Sequence, residues 1–469
     1  MEQHIVKNFD ELATTQNRKI ALEIIETGLD AINTGKVIFS SVFFSGNILS
    51  IKGKEFDLNK YNKIKMIGFG KSSCEAALAL ENILGNKITA GAVIGINKTE
   101  CKYIETFVGT HPKPSEKNIE AGKKIYELIK NSEKSDLIIV LVSGGGSALL
   151  CYPESEYVQG AKLYEASLKS GKTINEINTV RKHLSLLKGG GLAKIAYPAT
   201  IIGLIFSDVP GDIFEDVASG PTYKDKTSIE DVQKIITENN LGSFDLIETP
   251  KENKYFENVH NFVLVSNKTA VEAMAKKGQE LNLETNIIST DLYDEIPKVL
   301  EKIFQVENRI GKEFSQVLGS PGPYPGQTMI KFFADSVYLA AGEPKIKVEN
   351  KGNNIGKGGR NLHMALEAIK NKMISKNSVF ISFASDGMDN SDVAGAIVDK
   401  ETLEKVKKLN LDVNKYLERF DSYNFFQKTG DSIITGPTGA NVSDLMILLK
   451  KRNPFTGVSR GLRRGRHLQ

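Results

Sequence analysis

The chain has 469 residues, 40% of them hydrophobic and 25% charged, with 41 glycines that follow no period. This composition excludes collagen-like, coiled-coil and disordered classes and is sufficient for a large core without disulfides. Three cysteines without CxxC spacing argue for a reducing cytoplasm, and no run reaches the roughly 18–20 apolar residues of a membrane span. The formal net charge of +4 comes from the end of the chain. Arg452–Gln469 holds five arginines and no lysine or acid, so the body is slightly acidic. The body uses lysine, with arginine only at Arg18, Arg181, Arg309, Arg360 and Arg419. The tail therefore reads as a non-native basic addition, not as a nucleic-acid-binding arm.

In chain order, an amphipathic helix is expected over Gln16–Ile32 and strands over Val37–Phe44 and Asn47–Ile51. A repeated grammar then begins, in which an apolar strand runs into a glycine-rich turn and a helix. Lys63–Ile67 leads to Gly68-Phe69-Gly70-Lys71 and the helix Ser72–Leu84, and Ala90–Ile96 is a further strand. Asp136–Val142 leads to Ser143-Gly144-Gly145-Gly146-Ser147, and Ala199–Phe206 to Ser207-Asp208. One long helix is expected over Asn175–Ala193. A polar connection from about Lys224 to Asn261 precedes strands Phe262–Ser266, Glu284–Ser289, Ser336–Ala340, Lys345–Val348, Val379–Ala384 and Ser432–Thr435. Helices Thr269–Leu281, Ile296–Phe304 and Asn361–Lys370 and a loop at Ser320–Gln327 lie among them. Alternating strands and helices predict an α/β fold of parallel βαβ units followed by a smaller α/β domain with a mixed sheet. The expected boundaries are 1–232, 233–451 and the tail 452–469.

Ligands in such sheets sit beyond the carboxyl ends of the strands, where these turns lie. Gly68-Phe69-Gly70-Lys71-Ser72-Ser73 is neither a Walker A loop nor a full dinucleotide fingerprint, since Lys65 and Ser73 stand where glycines belong. It remains a strand-to-helix turn with free N–H groups and one lysine, suited to phosphate. Ser143, Gly144, Gly145 and Ser147 belong to a turn that can curl around an anion. On the expected helix, Asn178, Arg181, Ser185 and Lys188 form one polar stripe beside the apolar one. Asp208, Asp212, Glu343, Asp386 and Asp389 recur at strand ends, and a magnesium ion shared with phosphates needs one or two such carboxylates. Arg360 opens a helix after Gly358-Gly359 and can fork onto phosphate.

Together, Gly68-Phe69-Gly70-Lys71, His111-Pro112-Lys113-Pro114, the Ser143–Leu150 segment, Asn178–Ser185, Ser207–Asp212, Ala218–Thr222, Gly358–Asn361, Asp386-Gly387 and Gly436–Asn441 resemble the glycerate 2-kinases, in family order. The resemblance implies a Rossmann-like α/β/α N-terminal domain, a MOFRL-type second domain and an active site between them. It implies transfer from ATP, with Mg²⁺ or another divalent cation, to the 2-hydroxyl of D-glycerate. By the same resemblance Lys71 and Arg360 are the essential basic pair; from the demands of phosphoryl transfer, the metal is assigned to one of the carboxylates Asp208 and Asp386, and Asp208 is the candidate base. Ser143–Ser147 would receive nucleotide phosphates, Arg181 and Lys188 phosphate or the glycerate carboxylate, and Asn267 the nucleotide. The chain departs from the family at Ala340-Ala341-Gly342-Glu343, Asp389-Asn390 and Leu362-His363. Neither nucleic acid nor membrane is expected as a partner, and monomer and homodimer both remain open. A hydroxypyruvate reductase is the alternative from another class, disfavoured by the incomplete fingerprint.

Overall fold

The computed structural model describes residues 4–170, 174–209, 211, 213–305, 335–347 and 355–451. The expected Ser320–Gln327 loop, Asp212, Val348 and the basic tail lie outside these residues. Near the start, Val42–Ser45 (β1), Ile48–Ile51 (β2) and Lys54–Asp57 (β3) form a small antiparallel sheet. Residues 37–41, expected as strand, are instead the end of the helix Thr34–Ser41. Asn33 caps that helix by accepting from the Lys36 N–H at 3.0 Å, which satisfies an orphan donor and commits the segment to a helix.

The first large sheet contains Lys63–Phe69 (β4), Ala90–Gly95 (β5), Glu105–Val108 (β6), Asp136–Ser143 (β7), Thr200–Phe206 (β8) and Val259–Val265 (β9). Its order is β6-β5-β4-β7-β8-β9 and every pair is parallel. The chain winds outward from β4 in one direction, then returns to β7 and winds in the other. This is the doubly wound order, with its switch point between β4 and β7. The sheet continues through β9, past the expected break at residue 232, because β9 pairs with β8 across the polar connection.

The second sheet contains Glu284–Leu292 (β10), Ser336–Gly342 (β11), Ser378–Ala384 (β12), Gly395–Val398 (β13), Ser432–Ile433 (β14) and Asp444–Lys450 (β15), in the order β10-β11-β15-β12-β13-β14. It is mixed, as expected: β10 and β11 are parallel and the other pairs antiparallel. Among the described residues of the expected strand Lys345–Val348, the pairing is a single bridge between Lys345 and Glu295. Alternation along β11, β12 and β15 divides their side chains between two cores. Val337, Leu339, Ile381, Leu445 and Ile447 face a core that also holds Met66, Leu141 and Leu204 of the first sheet. Tyr338, Phe380, Met446 and Leu448 face the helix Arg360–Lys370. The helices Gln16–Ala31, Ser73–Leu84 and Asn267–Glu280 contribute to the shared core. The two lobes are thus packed together over an apolar interior.

The expected Asn175–Ala193 helix is two shorter ones, Ile174–Lys182 and Gly191–Ala196. After Lys182 the backbone tightens, with His183 N–H donating to Val180 at 3.0 Å and Leu184 N–H to Arg181 at 3.2 Å. The Ile247 N–H then donates to the His183 carbonyl at 2.8 Å, and a tertiary bond replaces the next helical one. Ser185 and Lys188 therefore leave the stripe that the helical periodicity assigned them. Among the described residues no helix is long and apolar enough to cross a membrane.

Candidate active site

The switch point carries the two turns singled out in the sequence. β4 ends at Phe69 and delivers Gly70-Lys71, while β7 ends at Ser143 and delivers Gly144-Gly145. The Lys71 N–H donates to the Gly144 carbonyl at 2.8 Å. Ser143 Oγ accepts from the Ser72 N–H at 3.1 Å and lies 3.2 Å from Ser73 Oγ. Gly70 has φ +127, and a Cβ there would lie 2.2 Å from Ser143 Oγ. Only glycine allows this closeness of the two turns.

Asp208, just past β8, packs against the second turn. A Cβ on Gly144 would sit 2.1 Å from Asp208 Oδ2. Burial raises the Asp208 carboxyl above its ordinary range, Lys71 pulls it down, and the charge of Asp386 adds to the rise. Gly144→Ala should thus lower kcat by about a hundredfold, the scale of a misplacement near 1 Å. Rotation of Asp208 moves its carboxylate but not its Cβ, which would lie 2.8 Å from the added atom, so a small backbone shift and a modest fall in melting temperature should accompany the loss of rate. Parent-like steady-state kinetics in this variant would show that Asp208 does not act where it stands.

The second lobe reaches the same place. Lys71 Nζ bonds Asp386 Oδ2 at 2.9 Å across the lobes. Beyond Gly359, the helix Arg360–Lys370 begins under Asp389, which accepts from the Asn361 N–H at 3.1 Å and the Leu362 N–H at 2.8 Å. Arg360 pairs with Asp444 and, at 3.1 Å, with Glu343. Burial works against the Arg360 charge, but the Asp444 and Glu343 carboxylates outweigh it and raise its pKa. Burial pushes the carboxyls of Asp389 and Asp444 up to about 6, each helped by a neighbouring carboxylate, and raises that of Glu343. Lys71, Arg360, Glu343, Asp386, Asp389 and Asp444 all line one cavity of about 440 Å³.

The structure therefore brings together Lys71, Gly144, Gly145, Ser143, Asp208, Asp386 and Arg360. It does not bring in Lys188, whose buried ammonium pairs with Glu156 and donates to the Leu150 carbonyl at 2.6 Å. An expected phosphate ligand is instead an internal ion pair, because its helix ended before it. Ser147 Oγ bonds Ser219 Oγ at 2.8 Å, and Ser147 and Arg181 line a separate pocket of about 30 Å³. Asn267 is buried and donates to the Thr290 carbonyl at 2.8 Å and to Ser443 Oγ at 3.2 Å, joining the lobes. The sequence reading missed Asp444 and Tyr293. Asp444 had a signal, being a lone acid heading an apolar run, a buried charge that requires a partner. Tyr293 had none; burial, then the charges of Glu343 and Asp208, raise its phenol above the ordinary range.

Asp208 and Asp386 supply hard oxygen donors and repel one another, so the pair fits a divalent cation. Among the described residues no group of three or more His, Cys, Asp or Glu gathers as a metal site. A magnesium ion held by one or two carboxylates and completed by phosphate does not require one.

Known proteins are similar to this one over most of the chain. Residues 20–249 match the family described as "Domain of unknown function (DUF4147)", and residues 336–444 match the MOFRL family. A glycerate 2-kinase of Pyrococcus horikoshii is 34% identical, over 92% of this chain and 97% of its own. A D-glycerate 2-kinase of Thermotoga maritima is 31% identical over 92% and 97%. The crystal structure of a Thermotoga maritima glycerate kinase superposes with a TM-score of 0.73 at 30% identity, covering 92% of this chain and 99% of that one. On the strength of these identities and of a shared two-lobed α/β fold, the chain belongs to the glycerate 2-kinase family of phosphotransferases.

Proposed function

We propose that this protein is a cytoplasmic enzyme that transfers the γ-phosphoryl group of ATP to the 2-hydroxyl of D-glycerate, in the cleft between its lobes. The observation that carries this reading is the Lys71–Asp386 contact, which sets cations and carboxylates from both lobes beside the switch-point turns. Phosphoryl transfer asks mainly for positioning and charge neutralisation. Lys71 and Arg360 neutralise charge on the transferring group, and the Ser143–Gly145 turn receives it with backbone N–H groups. Asp208, made more basic by burial, takes the proton of the 2-hydroxyl as the new O–P bond forms and the bond to ADP breaks. Asp386 would hold Mg²⁺, which when bound neutralises phosphate charge, and Asp208 is left to act as the base.

The test is incubation with ATP, Mg²⁺ and D-glycerate while ADP is followed. The product should feed enolase directly, as 2-phosphoglycerate does. A signal that appears only when phosphoglycerate mutase is added would mean transfer to the 3-hydroxyl. Oxidation of NADH by hydroxypyruvate, without ADP release, would replace the kinase reading by the reductase one. Ser73 Oγ, bonded to Ser143 Oγ where a fingerprint glycine would stand, argues against that outcome.

A further inference from the structure

The kinase reading leaves open which lobe holds the base of the nucleotide. A doubly wound sheet suggests the crevice between β4 and β7. Here that crevice is filled by the hydrogen bonds of Ser72 and Ser73 to Ser143, and a Cβ on Gly70 would already overlap Ser143. The neighbouring pocket of Ser147 and Arg181, at about 30 Å³, is too small for a base. The cavity of about 440 Å³ lies within the usual range for bound small molecules, roughly 300–1,000 Å³. A three-carbon acid fills little of it.

Its walls point the same way. Lys71, Arg360 and Asp386 mark where it meets the first lobe, and Ile346, Ile355, Met388 and Phe420 line it as well. Ile355 is 51% exposed and Met388 40%, apolar surface that a small hydroxy acid cannot use and a heterocycle can. Phe420 is held at φ 51, a conformation uncommon for a bulky residue, with its ring 5.4 Å from His363 and nearly parallel to it. We propose that the second lobe binds the base of the nucleotide between Ile355, Met388 and Phe420. The phosphates then run past Arg360 to Lys71, where the first-lobe turn presents the acceptor. This rests on the kinase reading for the identity of the ligand, not for the existence of the cavity.

The test uses Met388→Asn and Ile355→Asn, uncharged changes at exposed positions that leave the field along the phosphates unaltered, with ADP and inorganic tripolyphosphate as separate calorimetric probes of the full chain. Each variant should bind ADP at least about tenfold more weakly, with tripolyphosphate affinity within about twofold of the parent. The KM for ATP should rise while that for D-glycerate stays within about twofold. ADP affinity unchanged in both variants, equal losses for the two probes, or a parent that binds no ADP would each overturn the proposal. Base-dependent ADP binding without glycerate turnover in the parent would instead sink the kinase reading and leave the base site standing.

Discussion

Lys71→Ala and Arg360→Ala should each lower kcat by about 10³-fold or more, while substrate KM values change far less. A cation on the transferring phosphoryl group is worth about 10³–10⁵ in rate, and its charge counts most in the transition state. The two replacements differ in their structural cost. Lys71 is partly exposed and its loss frees Asp386, so the fold should be indifferent. Arg360 neutralises Asp444, which is buried, and Glu343. Its alanine variant leaves both carboxylates unpaired, and its melting temperature should fall as well. Arg360→Lys separates the two effects: it keeps a charge near Asp444, and with it most of the stability. It loses the fork that can hold Asp444, Glu343 and a phosphate together, so kcat should recover poorly. Rate constants from folded protein, checked by circular dichroism, decide the matter. Turnover within about tenfold of the parent in either alanine variant would remove that residue from the reacting phosphate.

Arg18→Ala should destabilise the protein by about 3–5 kcal/mol, the cost of stranding a buried ion-pair partner. The Arg18 side chain is fully buried. Its Nε and one terminal nitrogen bind the two Asp399 oxygens at 2.8 and 2.7 Å, the other terminal nitrogen binds Asp431 at 2.9 Å, and Thr402 accepts at 2.9 Å. The helix Gln16–Ala31 is thereby fastened to the second lobe. Burial works to raise the Asp399 carboxyl, but the Arg18 hydrogen bond and charge prevail and hold it below its ordinary value. For a depressed carboxyl the stabilisation is complete above the unfolded pKa, about 3.9, and is lost as pH falls through the lower folded value. The parent should accordingly shed part of its stability in strong acid, and the variant should lack that component. Urea melts at neutral pH and at about pH 3 measure both. A loss under about 1 kcal/mol at neutral pH would mean that the triad merely breaks even against its desolvation.

The first sheet was legible because buried parallel strands are short apolar runs and glycine turns mark their ends. Lys63–Phe69, Asp136–Ser143 and Thr200–Phe206 stand within a few residues of where those runs predicted them. Lys71, Gly144 and Asp208 were found with them, since ligands of such sheets gather at those ends. The central strand of the second sheet, Asp444–Lys450, was missed, because a run of Leu, Met and Ile without polar alternation reads equally as helix or strand. The break of the helix after Lys182 was hidden as well, its cause being a bond to Ile247 far along the chain. Sequence by itself determined the class of fold, the turns and the kinds of side chain they carry, all of which follow from local periodicity and backbone chemistry. Only the tertiary structure decided that Lys71 meets Asp386, that Arg18 joins Asp399 and Asp431, and that Lys188 is spent on Glu156. Those pairings join elements distant in the chain, and periodicity carries no information beyond the element in which it is read.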